Sequence, residues 1–182
     1  MKTNFFEKIS VRKFVLLCVI AVLIVILVCQ LAISGANDGY NLKLKDGFDR
    51  LTIKKGSEPT ILFDKNGEDW FVCQLENENE TVISEKSKAD TNTMTRMQDF
   101  FAKISVVGVV SRTNDDERFG FGESSIFLTA TKNGKVVRKI EIGKASATGQ
   151  QVYCRIDGKN EVVLVSGGIR QLFERDFERF KM

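Results

Sequence analysis

The sequence of 182 residues contains no histidine, one proline, one tryptophan and two tyrosines. The missing imidazole excludes the most. Without it there is no Ser-His-Asp or Cys-His nucleophile system, no histidine-ligated zinc and no imidazole proton shuttle near neutral pH. Any enzyme built on this chain would have to work through carboxylates, lysine, cysteine or an oxygen-held metal. Other chemistry-bearing patterns are missing as well: GxxxxGK[ST], GxSxG, HExxH and paired CxxC do not occur. What remains, 43% hydrophobic and 28% charged residues, is the composition of one ordinary globular domain.

One stretch departs from that composition. Residues 14–33, FVLLCVIAVLIVILVCQLAI, hold no charge, glycine or proline, and Gln30 is their one strongly polar side chain. A helix of that length spans about 30 Å, the thickness of a hydrocarbon core. The run lacks the polar face of a buried amphipathic helix. The expectation is a transmembrane helix, partnered by the lipid bilayer. Lys2, Lys8, Arg12 and Lys13 precede it against Glu7 alone, which puts the N-terminus in the cytoplasm and the remainder outside. Ser34-Gly35-Ala36 resembles a signal-cleavage site, but the apolar run exceeds the roughly 7–15 residues of a signal core. Cys29 suggests lipidation, though Val28 stands where a small residue is wanted. The net charge of +3 comes entirely from the N-terminal end, so residues 35–182 are formally neutral and carry no nucleic-acid footprint.

The expected organisation is a basic cytoplasmic tail (1–13), the membrane helix (14–33), a polar tether (34–47) and an extracytoplasmic domain (48–182). Within that domain Phe48, Leu51 and Ile53, then Thr60–Phe63, then Asp69–Leu75, read as a small antiparallel meander. Residues 77–88 read as a solvated loop or an edge hairpin. Asp90 or Thr91 caps a helix over about 91–104, with Met94, Met97, Phe101 and Ile104 on one face. Burying those four contributes about 6–12 kcal/mol before entropy is subtracted. Strands follow at Val106–Ser111, Ser125–Thr131, Val136–Ile142, Tyr153–Ile156 and Val162–Val165. Asn133-Gly134 marks a tight hairpin. From Ile169 the stripe of Leu172, Phe173, Phe177 and Phe180 reads as a closing helix. The fold class expected is α+β, a mostly antiparallel sheet with two packed helices behind a transmembrane helix.

Candidate chemistry is sparse. Asp115-Asp116-Glu117 is the densest acidic cluster, but its spacing is not that of a calcium loop, and a solvated turn is the simpler reading. Asp115 and Glu117 are nevertheless the pair a carboxylate-dependent enzyme would use. Phe119-Gly120-Phe121-Gly122 lacks the third glycine and the helix of a nucleotide loop. Trp70 reads as a sheet or core aromatic, with a ligand pocket around it as the alternative. Cys73 and Cys154 sit in apolar strands, either as buried thiols or as a disulfide of an oxidising compartment. No cofactor is indicated.

The order of several short motifs resembles the membrane-tethered family known as domain of unknown function 4340. The matching features, over about residues 48–173, are Trp70 at a strand, Ala89-Asp90 opening a helix, the turn Phe119-Gly120-Phe121, Ile142-Gly143 at a strand end, and Tyr153-Cys154-Arg155 before Val162-Val163-Leu164-Val165. Phe121 stands where the family usually has leucine, and the usual proline after the turn is missing. The resemblance implies an accessory envelope role beside ABC-type transporter subunits of the gliding-motility kind, and it supplies no catalytic residue. In this reading Trp70, Ala89, Asp90, Gly120 and Gly143 are architectural. Tyr153 and Arg155 lie on one side of their strand and are the candidate partner surface. The function expected is therefore a non-enzymatic, single-pass, membrane-anchored binding module. The alternatives are an enzyme acting on an envelope polymer and a stand-alone ligand-binding or structural envelope protein.

Overall fold

The computed structural model describes residues 11–34, 39–76, 81–113 and 116–182, with side chains in the first segment from Lys13 to Cys29. The chain divides into two units, the boundary falling between Asp38 and Gly39. In the first, Val11–Ser34 form one α-helix, α1. Every described side chain on it is exposed; Leu16, Leu23 and Val25 each show about three-fifths of their surface. The expected transmembrane span over 14–33 is corrected here. Among the described residues no helix is long and apolar enough to cross a membrane.

The second unit is dominated by one ten-stranded sheet. In chain order its elements are β1 (Tyr40–Lys43), β2 (Arg50–Lys55), β3 (Thr60–Asn66), β4 (Asp69–Leu75), β5 (Ser87–Lys88), α2 (Thr91–Ala102), β6 (Lys103–Ser111), α3 (Asp116–Phe119), β7 (Ile126–Lys132), β8 (Lys135–Ala145), β9 (Gln151–Ile156), β10 (Val162–Ser166), α4 (Ile169–Phe173) and a 3-10 turn (Phe177–Phe180). The spatial order is β1-β6-β10-β9-β8-β7-β2-β3-β4-β5, and every strand pairing is antiparallel. Two meanders, β2-β3-β4 and β7-β8-β9-β10, are thus joined edge to edge through β2 and β7. Asn133 and Gly134 both take positive φ (50° and 74°), the geometry a two-residue hairpin turn requires.

This corrects the α+β expectation to a mostly β architecture. Among the described residues of this unit α2, with 12 residues, is the only helix longer than five, and the reasons are local. The helix stops at Ala102 because Lys103 turns extended, and Ile104 enters β6, fully buried opposite Leu42 of β1. The edge strand β1 therefore lies inside the stretch expected to be a tether. The closing helix breaks after Phe173. Lys55 Nζ donates to the carbonyls of Glu174 (3.3 Å) and Arg175 (2.7 Å), which ends α4. The chain then turns so that Phe180 packs edge-on to Phe63 and Lys181 bridges to Ala89. A straight helix could not make both contacts.

One apolar cluster holds the unit together. Alternate residues of the strands (Leu51 and Ile53, Ile61 and Phe63, Leu128 and Ala130, Ile140 and Ile142, Cys154 and Ile156) point to one face, where Met94, Met97 and Phe101 of α2 and Leu172 and Phe173 of α4 meet them.

Candidate functional site

Alternation along β9 decides where the candidate surface lies. Cys154 points into the main cluster, so Tyr153 and Arg155 fall on the opposite face of the sheet. Arg155 stands across from Glu141 of β8, and its Nη1 lies 3.5 Å from Glu141 Oε2. The guanidinium also sits 4.3 Å from the centre of the Phe121 ring, a cation–π distance. Tyr153 packs its ring 5.0 Å from that of Phe119. Ser125 Oγ donates to Glu141 Oε1 (3.1 Å) and accepts from Gly122 N–H (2.8 Å), tying the 119–125 segment to the same carboxylate.

The two motif glycines make this close approach possible. Gly120 adopts φ +72°, a left-handed conformation that side chains resist. A Cβ on Gly143 would collide with the Phe119 carbonyl and come within 2.9 Å of the Phe121 ring. Arg170 of α4 donates to the carbonyls of Gly143 and Ser124, the latter at 3.2 Å. Gly120, Gly143, Tyr153 and Arg155, scattered in sequence, are therefore parts of one latch that clamps a connecting segment onto the sheet. Tyr153 and Arg155 are half-buried within it.

The other motif residues assemble elsewhere. Ala89 N–H donates to Trp70 O and Asp90 N–H to Phe180 O, both at 2.8 Å. Asp90 caps α2 by accepting from Thr93 N–H at 2.7 Å. The hydrogen bonds from Thr93 hold its carboxyl below the usual range. Trp70 is only 8% exposed and packs 5.4 Å from Phe48. The crevice beside it, about 250 Å³, is lined mainly by polar and charged groups such as Lys65, Glu68, Asp69, Lys88 and Thr91. That is not the apolar recess that ligand binding around Trp70 would call for.

Asp115 lies outside the described residues, and Glu117 is an exposed residue of α3. Among the described residues no group of acids and cysteines is arranged to hold a metal ion. Cys73 and Cys154 are free and buried. They sit on β4 and β9, five strand spacings apart, so the disulfide alternative is corrected to two separate thiols. Burial pushes both thiols up, with Glu141 adding to the effect at Cys154.

A larger cleft, about 480 Å³, lies between Lys55, Glu58, Glu123, Ser124, Arg170 and Glu174. Its two cations are engaged by carbonyls and carboxylates: Lys55 also pairs with Glu58 (3.6 Å) and Arg170 with Glu174 (3.2 Å). Sequence reasoning did not single out Glu141, Ser125 or Arg170. The signal available was slight, an acid and a cation at outward positions of two neighbouring apolar strands.

No curated protein and no solved structure matches the chain. The family model described as Domain of unknown function (DUF4340) matches residues 80–181. That range contains Ala89, Asp90 and the whole latch, and leaves Trp70 outside. Covering more than half of the sequence, the match places the chain in the DUF4340 family.

Proposed function

We propose that this protein is a non-enzymatic, lipid-held binding module of the cell envelope, its β-domain working outside the cytoplasm as an accessory to an ABC-type transporter. The observation that carries the reading is the surface of α1, where apolar side chains are exposed on all sides. Such a surface needs an apolar environment, and acyl chains provide one. The state of the charged groups supports contact rather than catalysis. Lys55, Arg155 and Arg170 hold segments of the fold together, and so are not presented to a substrate.

Carbonate washing of native membranes tests the lipid hold, and the full chain is expected to stay in the pellet. Recovery in the wash ends that part of the reading. Photo-crosslinking in intact membranes from position 144, which is exposed beside Gly120 of the latch, is expected to capture a transporter subunit. Capture of the chain by itself alone removes the transporter role, and turnover of an envelope polymer by purified protein removes the non-enzymatic one.

A further inference from the structure

The sheet face that carries the latch is covered only in part. On one side the 119–125 segment lies over β8 and β9. On the other, Lys86 reaches over the Phe71 ring and Ser84 bonds to β4. Between these covers β2 and β7 present their outward residues. In register these are Thr52 beside Thr129 and then Lys139, and Lys54 beside Phe127 and then Glu141. Lys54 and Lys139 are exposed, and Phe127 keeps 43% of its surface in solvent.

The charge on this strip is one-sided. The nearest acids are committed: Glu141 to Arg155 and Ser125, Asp157 to Arg138 (3.1 Å) and the Lys139 backbone N–H (3.0 Å), and Asp64 to Arg50 (3.5 Å) and Lys86 (3.2 Å). Neither Lys54 nor Lys139 has an ion-pair partner among the described residues. The strip therefore offers two unneutralised ammonium groups around one protruding aromatic ring, on a floor of threonines.

We infer that this strip lies against an anionic lipid headgroup surface, with Phe127 entering the interface and Lys54 and Lys139 above phosphate. Cations attracted to the surface potential, with an aromatic ring at headgroup depth, are the combination that such a surface selects. A protein segment is less well served. Both edges of β2 and both edges of β7 are already hydrogen-bonded, so no strand can be added there. The cleft at Lys55 and the crevice at Trp70 do not include Lys54, Phe127 or Lys139. The contact is separate from the lipid hold of α1, which does not depend on lipid charge.

The test uses the full chain carrying Phe127→Trp, reconstituted in vesicles of brominated phosphatidylcholine with or without phosphatidylglycerol. Flotation with either vesicle reports α1. Quenching of the new indole, over the background of buried Trp70, reports the strip. Quenching is expected with phosphatidylglycerol only, and is expected to be lost in high salt and in the K54E/K139E background. Should Phe127→Trp not fold, Thr129→Trp reads the adjacent row. Absence of quenching in chains that float overturns the inference, as does equal quenching without anionic lipid. An emission change with polyglutamate but not with anionic vesicles also overturns it, in favour of an acidic protein segment.

Discussion

At one corner of the β-domain Trp70, Phe48, Phe101, Ala89 and Asp90 fix α2 to the sheet; at another, Phe121, Gly143, Glu141 and Arg155 fix the 119–125 segment. The first corner is dry. It is built from rings at 5.0–5.4 Å with one half-buried carboxylate cap, and its strength scales with apolar area. The second adds polar contacts to a small apolar cluster of Phe119, Phe121 and Val162 and depends on fit: a guanidinium between a ring and a carboxylate, and two positions where a side chain cannot stand. Area tolerates small changes in shape, whereas a close approach does not. Both corners contain residues of the short sequence motifs, and in both those residues fasten a connection to the sheet.

Breaking the dry corner should give the largest effect. Phe101→Ala removes a fully buried ring and is expected to cost about 3–5 kcal/mol, read as a lower denaturation midpoint of the full chain in detergent. A loss below about 1 kcal/mol would mean that the corner collapses around the hole and that area is not what holds it.

Gly143→Ala sharpens the contrast, since it adds one methyl group to the latch. The forced displacement of Phe119 and Phe121 should cost about 1–3 kcal/mol. It should also open residues 116–125 to limited proteolysis while α2 stays protected in hydrogen exchange. Equal loss of protection in both places would show that the corners are not independent.

The smallest effect belongs to the cap. Asp90→Ala should cost about 1 kcal/mol. Because the folded carboxyl titrates below its unfolded value, its contribution is complete above about pH 4 and fades as pH falls through the depressed folded value. Asp90→Asn keeps a capping oxygen and should flatten that acid limb in pH-dependent denaturation. An unchanged limb would assign the acid sensitivity to other groups.

Local patterns in the sequence identified most of the strands. A period of two marked β2, short apolar runs between turn residues marked β3, β7 and β9, Asn133-Gly134 marked its hairpin, and the spacing of Met94, Met97 and Phe101 marked α2 with its Asp90 cap. Where the reading failed, a distant partner had overruled a local preference. Ile104 fits the helical stripe, but Leu42 draws it into β6. Phe177 and Phe180 continue the stripe of α4, but Lys55 ends the helix, and Phe63 and Ala89 claim the last residues of the chain. On the candidate surface Tyr153 and Arg155 were correctly put on one side of β9. Their embedding was not legible, because Glu141, Phe119 and Phe121 reach them only through sheet register and the return of a loop. The tether reading missed β1 for the same reason, its pairing partner lying about sixty residues further on.

The joint between the two meanders has a consequence for how the protein is made. Thr52 of β2 donates its hydroxyl to the Thr129 carbonyl of β7, 77 positions later. At a ribosomal pace of about 5–20 residues per second, the outer edge of β2 waits about 4–15 s for its neighbour to be synthesised. During that interval a nascent three-stranded ribbon offers unpaired backbone to any passing chain. The exposed lysines on this first meander, beginning with Lys54, would discourage such encounters until β7 arrives.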